Sequence, residues 1–172
     1  MANQTSALRI RQGLYTDIPL IQELGSRIWP PTYSDILSSE QIDYMLAMMY
    51  SAESLKNQMD CGHEFLIISE LEMHIGFASF SEIENNIYKL HKIYVLIEQQ
   101  GKGRGSFVIT EILNTVEKRG AIALRLNVNR HNSARTFYEK LGFNTIGEED
   151  IDIGNGYLMN DYVMEKRLGA DA

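Results

Sequence analysis

The chain has 172 residues, a formal net charge of −7, 44% hydrophobic and 23% charged residues, enough for one domain with a real core and too few for two. One cysteine, Cys61, excludes an intrachain disulfide and suits a reducing cytoplasm, and the four scattered histidines lack metal-site spacing. No apolar run approaches the ~20 residues of a membrane span, the N-terminus lacks a signal-peptide core, and the acidic balance disfavours nucleic acid while suiting cationic partners such as amines.

In chain order, "LRIRQ" (Leu8 to Gln12) alternates and predicts a short strand. A helix follows, with Asp17 as N-cap, Pro19 in its first turn and Ile18, Ile21, Leu24 and Ile28 on its apolar face. Pro30 and Pro31 in "PPTY" predict its end. "SSEQIDYMLAMMYSAESLKNQM" reads as helix in two pieces, capped by Ser38 or Ser39 and then at "SAES". "EFLIISE", a tight turn at "LEMH" and "IGFASFSEI" read as a hairpin, and "ENN" turns into a third strand, "IYKLHKIYVL". Val108, Ile109, Ile112, Leu113 and Val116 form one face of a helix within "FVITEILNTVEKRG", ended by Gly120. A strand "AIALRLNV", a short helix bearing Ala134, Phe137, Tyr138 and Leu141, and the strands "FNTIGEEDI" and "YLMNDYVMEKRL" complete the order, before a frayed "GADA" tail. No repeat or linker interrupts this. The expected fold is a single α/β domain over 1–172, with a mixed, mostly antiparallel sheet flanked by helices.

Between the third of these meander strands and its helix lies "EQQGKGRGS". A glycine-rich strand-to-helix turn is either a plain connection or a place where backbone N–H groups face an anion. The order Gly101, Lys102, Gly103, Arg104, Gly105, Ser106 fails the P-loop pattern. G-x-G-x-G after a meander, with no acidic residue ending the next strand, also fails the dinucleotide fingerprint.

Gln100, Gly103 and Gly105 spell Q-x-x-G-x-G, and "A-x-x-F-Y-E-K-L-G-F" runs from Ala134 to Phe143. Together these resemble the GNAT acetyltransferase superfamily, closely over about 86–143 and in element order elsewhere. The resemblance implies acetyl-CoA as cosubstrate, no metal, and direct acetyl transfer to a primary amine of a small molecule. The alternatives are a protein or peptide acceptor, or a silent module that binds coenzyme A. It implies that the fourth and fifth strands splay to admit the pantetheine arm. The backbone of Ile93, Tyr94 and Val95 would then pair with that arm, with an N–H, Val95 foremost, polarising the thioester carbonyl. The amides from Gly101 to Ser106 and the helix dipole would hold the pyrophosphate, with Lys102 and Arg104 as charges at the rim.

Acetyl transfer needs a neutral amine, a stabilised oxyanion and a proton for the thiolate. Tyr138 matches the family's general acid, against a reading as a packed core tyrosine; a phenol of pKa ~10 is protonated at neutral pH. Asn132, or His131 when counted back from Tyr138, matches the family's cofactor contact, and Asn132 also suits a helix cap. Relatives acting on protein N-termini carry a glutamate where this chain has Asn127, which takes no proton. His91, Glu82 and Glu84 are the remaining candidates for the base, with His91 the best suited by intrinsic pKa. Trp29, Tyr33, Tyr44, Met45, Met48 and Met49 are either helix core or the lining of an amine site. "W-P-P-T-Y" is similar to bacterial GNAT enzymes acting on polyamines. The C-terminal "YLMNDYVMEKRL" offers an edge for a homodimer.

Overall fold

The computed structural model describes residues 8–169. It contains strands β1 (Leu8–Gln12), β2 (Glu64–Glu70), β3 (Met73–Glu84), β4 (Ile87–Val95), β5 (Ala123–Asn129), β6 (Asn144–Gly154) and β7 (Tyr157–Arg167). The helices are α1 (Ile18–Tyr33), α2 (Ser39–Tyr50), α3 (Ala52–Asp60), α4 (Arg104–Lys118) and α5 (Ala134–Lys140). The seven strands form one mixed sheet in the order β1-β2-β3-β4-β5-β7-β6. The pairings β1–β2, β5–β7 and β6–β7 are antiparallel, and β4–β5 is parallel, from Ile87 opposite Ala123 to Leu90 opposite Leu126. This is the expected mixed α/β sheet. The end of the "GADA" tail and the first seven residues lie outside the described part.

The chain divides into two compact units, 1–79 with 92–108 and 80–91 with 109–172, the divisions falling within β3, β4 and α4. In the first unit α1 packs on α2 and α3, and Ile21, Leu24, Ile28, Leu55, Phe65, Ile67, Ile75 and Phe77 are fully buried. The second unit buries Ile109, Ile112, Val116, Leu124, Leu126, Phe143 and Met164.

Four local expectations are corrected. First, α1 ends at Tyr33, within the expected "PPTY", but the prolines do not break it: the helix runs through Pro30 and Pro31. Proline's fixed φ suits a helix, and the harm of its missing N–H falls in the last turn. There the Thr32 hydroxyl donates to Ile28 O at 2.6 Å, and Ser34 N continues the ladder to Pro30 O. Second, Asp17 occupies the N-cap position without capping. Its carboxylate instead accepts from Leu14 N and, through both oxygens, from the Arg11 guanidinium, each at 2.8 Å. Ser38 and Ser51 do cap α2 and α3, accepting from Gln41 N and Ser54 N.

Third, the β2–β3 turn is confined to Leu71 and Glu72, both at positive φ, so Met73 and His74 already belong to β3. Fourth, β7 is not an edge: it lies between β5 and β6, and β6 forms the end of the sheet. β6 exposes Glu148, Glu149, Asp150 and Asp152, charges that discourage strand-to-strand association.

Candidate active site

The glycine segment is half loop and half helix. A 3-10 turn at Ile97–Gln99 follows β4, Gly101 and Gly103 both take φ +76°, and α4 begins at Arg104, three residues earlier than the apolar periodicity predicts. Phe107 N donates to Gly103 O at 3.0 Å as the helix opens. The amides of Arg104, Gly105 and Ser106 therefore belong to a first turn, where an α-helix supplies no intrahelical acceptor. A Cβ built on Gly101 or Gly103 meets nothing within 4 Å. The glycines are required by backbone conformation, and the space above them is open.

Arg104 is not a rim charge. It is 8% exposed, its Nε donates to Glu70 Oε2 at 3.1 Å, its Nη2 pairs with the same carboxylate, and its Nη1 donates to Gln99 O at 3.0 Å. The side chain ties the start of α4 to β2 and to the preceding turn. Lys102 is exposed. The Gln100 amide folds back to donate to Val95 O at 3.0 Å, so the glutamine of the motif binds its own loop to the end of β4.

β4 is not regular. Phe77 lies beside Tyr94, with ring centroids 5.7 Å apart, and Ser81 Oγ bonds His91 Nε2 at 2.7 Å. Phe77 and Ser81 are four apart and share a face of β3, whereas Tyr94 and His91 are three apart. Strict alternation cannot satisfy both contacts. The buried positions of β4 also change parity, from Tyr88 and Leu90 to Val95. Close by, a Cβ on Gly76 would stand 2.2 Å from Tyr94 O and 3.1 Å from Val95 Cα. Only glycine lets the Tyr94 carbonyl point into β3 there. Across the trans peptide the Val95 N–H points the opposite way, away from β3.

Of the expected acceptor residues, Trp29 and Met45 are core, at 3% and 4% exposure. Trp29 packs on Tyr33, Tyr50 and Tyr94 at 4.7, 5.7 and 5.8 Å, its Nε1 donates to the Tyr50 hydroxyl at 3.1 Å, and the Tyr33 and Tyr94 hydroxyls meet at 3.0 Å. Tyr44 and Met49 are half-buried, and Met48 is exposed at the mouth of a cleft bounded by Ser54, Asn57 and Gln58. Behind Gln58 stands Lys92, whose Nζ donates to Gln58 Oε1 at 2.7 Å and lies over the rings of Tyr50 and Phe65. Burial lowers its pKa to about 8. Sequence reasoning passed over Tyr50 and Lys92, because a tyrosine or lysine in a helix or strand carries no local signature.

In the second unit Tyr138 is half-buried on α5, edge-on to Phe137 and Phe143 at 5.2 and 6.0 Å. Asn132 is not the N-cap of α5, a position that Ser133 holds, but its Oδ1 accepts from Ala134 N at 2.9 Å from one residue before it, while His131 is exposed and its amide donates to Asn129 Oδ1. Of the candidate bases, His91 shares its Nε2 with Ser81, Glu82 accepts from Asn86 N, and Glu84 pairs loosely with Arg125 at 3.4 Å.

The sheet brings two further carboxylates to Asn127. Its Nδ2 donates to Glu149 Oε2 at 2.9 Å and to Asp161 Oδ2 at 3.3 Å. Register places Glu149 opposite Asp161 and Asp161 opposite Asn129. Asp161 is 3% exposed, and desolvation raises its pKa above the usual carboxylate value, with the Asn127 hydrogen bond opposing. The hairpin turn at Asn155–Gly156, a strong turn dipeptide, held the signal. Counting back from it brings Glu149 and Asp161 within one residue of facing each other. Among the described residues no group of three or more His, Cys, Asp or Glu is placed to hold a metal ion, and no helix is long and apolar enough to cross a membrane.

The family model described as acetyltransferase (GNAT) domain matches residues 34–166. The chain is 30% identical over 167 residues to the spermidine N(1)-acetyltransferase of Thermoplasma acidophilum, covering 94% of this chain and 98% of that protein. It is 32% identical over 110 residues to the ribosomal protein bS18 alanine N-acetyltransferase of Haemophilus influenzae, covering 63% and 70% of the two chains. The crystal structure of the PaiA N-acetyltransferase of Thermoplasma acidophilum in complex with coenzyme A is 30% identical, with a TM-score of 0.79 over 94% of this chain and 99% of that one. The protein is thus an acyltransferase that acetylates amines. It belongs to the GNAT acetyltransferase family.

Proposed function

We propose that the protein transfers the acetyl group of acetyl-CoA directly to a primary amine of a small, polyamine-like molecule. The observation that carries this reading is the Gly101–Ser106 segment. Two glycines at φ +76° open onto free space and lead into the first turn of α4, whose amides point along the helix axis toward its start. That is a fit for a doubly anionic pyrophosphate, which needs close backbone approach and N–H donors. Within this proposal 86–143 is the cofactor core. Bound there, acetyl-CoA supplies an activated acyl carbon with a thiolate leaving group. Gly101, Gly103, Gly105 and Ser106 hold phosphate through their amides, with Lys102 adding charge. Arg104 contributes its amide while its side chain braces the helix. Ile93, Tyr94 and Val95 orient the pantetheine arm through the backbone, and Val95 N–H donates to the carbonyl oxygen. Gln100 fixes the loop to Val95, Asn132 holds the start of α5, and Tyr138 gives a proton to the sulfur.

The small-amine acceptor is supported by the near full-length similarity to a spermidine acetyltransferase and by the net charge of −7. The shorter similarity to an alanine N-acetyltransferase favours a peptide acceptor, but Asn127 lacks the glutamate expected for that reaction. Thermal denaturation with acetyl-CoA, followed by thiol release with spermidine and with an alanyl peptide, tests all three readings. Stabilisation and turnover of spermidine is the expected result. Turnover of the peptide alone transfers the assignment to protein acetylation. Stabilisation without turnover of any amine makes the chain a silent binding module, and no stabilisation removes the cofactor reading.

A further inference from the structure

We infer that Asp161, held by Asn127 and flanked by Glu149, is the base that takes the proton from the acceptor amine. This deepens the proposed function and rests on it. The position in β5 that would carry a carboxylate holds Asn127, which cannot accept a proton, yet its amide donates to two carboxylates of neighbouring strands. The carboxylate missing from one strand is restored across the sheet by register, from β7 with β6 beside it.

Neighbouring acids on both faces of the sheet are committed to cations. Glu165 accepts from Arg125 at 2.7 Å and pairs with Arg167 at 3.1 Å, and Glu148 and Asp150 both pair with Arg130. Asp161 accepts instead from a neutral amide while 3% exposed. A buried carboxylate serving only structure is ordinarily matched by a hydrogen-bonded cation, because burial of the charge is otherwise costly. The groups that bear on its charge are Lys89 of β4, Glu149 of β6 and Arg130, with Asn127 in contact. Burial makes the carboxylate a stronger base than an exposed aspartate.

Faces also agree. The Arg135 guanidinium of α5 lies 4.4 Å from the Tyr162 ring, so α5, which carries Tyr138, covers the Tyr162 face of β7. Asp161 is the adjacent residue and points to the other face. The donor and the acceptor of protons thus stand on opposite sides of the sheet.

The step balances without a further reactant. Asp161 takes one proton from the ammonium, directly or through one water. The neutral nitrogen forms the C–N bond as the C–S bond breaks. Tyr138 protonates the sulfur and is restored by the second amine proton. Asp161 then releases its proton to solvent, leaving amide, thiol and one proton.

The test compares wild type, Asp161→Asn, Asp161→Glu and Glu149→Gln in acetyl-CoA-dependent thiol release across pH 5–10, with spermidine, or with the alanyl peptide if that is the better acceptor. Asp161→Asn should lower kcat at least 10-fold at pH 7 with KM changed less than about twofold. The deficit should shrink as pH rises toward the amine pKa of about 10, where the free amine needs no base. Asp161→Glu, which keeps a carboxyl, should retain more kcat than Asp161→Asn at equal melting temperature. Glu149→Gln should move the acid limb of kcat to lower pH, because it removes a charge that raises the Asp161 pKa. An Asp161→Asn enzyme with unchanged kcat, a deficit constant with pH, or a change confined to KM would overturn the inference. Wild type inactive on every amine would instead overturn the proposed function on which it rests.

Discussion

Removing the Tyr138 hydroxyl leaves the ring in its edge-on contacts with Phe137 and Phe143. Tyr138→Phe should therefore keep its melting temperature and acetyl-CoA affinity while kcat falls roughly 10²-fold, the low end for general acids because a coenzyme A thiolate leaves readily. Steady-state kinetics with a chemistry-limited acceptor would decide it, and a wild-type kcat would make the tyrosine a packing residue. Asp17 offers a different residue-scale test. The Arg11 guanidinium holds its carboxyl down to about 2 from 3.8. Because the folded pKa is the lower one, the stabilisation is present above about pH 4 and is lost as pH falls toward 2. Arg11 is half exposed, 47% by side chain, so the contribution is on the order of 1 kcal/mol. Urea denaturation should show Asp17→Asn less stable by that amount at pH 7 and equal to wild type near pH 2.

At the scale of elements, the start of α4 depends on the backbone and on one buried ion pair. Gly103→Val forces a β-branched residue to φ +76° and puts methyl groups over the open space, whereas Gly105 lies inside the helix and a valine there adds bulk alone. Isothermal titration with coenzyme A should rank the losses as Gly103→Val greatest, Gly105→Val next and Lys102→Ala least. Equal losses would mean that side-chain charge holds the ligand. Glu70→Gln strips the Arg104 guanidinium of its counter-charge at a site where both side chains are about nine-tenths buried. Leaving one buried charge uncompensated costs about 3–5 kcal/mol, which thermal denaturation would show as a large fall in melting temperature. The sequence reveals α4 by its apolar period but not its first turn, because Arg104, Gly105 and Ser106 add nothing to that period. It also suggests a break at Pro30 and Pro31, because propensity does not encode that both fall in the last turn, where a fixed φ suits the helix and a missing N–H does the least harm.

For the whole molecule, strand alternation and the two spaced motifs were sufficient to read element order, the mixed sheet and the family. What resisted reading was lateral: which strand neighbours which, and therefore which side chains meet. Asp161 and Asn127 are 34 residues apart and meet only because β7 inserts between β5 and β6. The Glu70–Arg104 pair is equally non-local. The net charge of −7 acts at this scale too. A field of that sign draws a polycation toward the protein and is screened over roughly 8–10 Å at physiological salt. The KM for spermidine should rise several-fold between about 50 and 500 mM salt at nearly constant kcat, and a KM indifferent to salt would argue for an uncharged acceptor.

Gly76 carries no chemistry, yet it sets what substitutions the lineage can tolerate. Since any Cβ at that point would sit 2.2 Å from Tyr94 O, even alanine requires β4 to be displaced, and with it the direction of the Val95 amide. A relative bearing a side chain at this place in β3 must have re-aimed that amide or abandoned it. The position is thus a one-letter criterion for sorting related sequences into those that can have this strand geometry and those that cannot, legible without a structure for any of them.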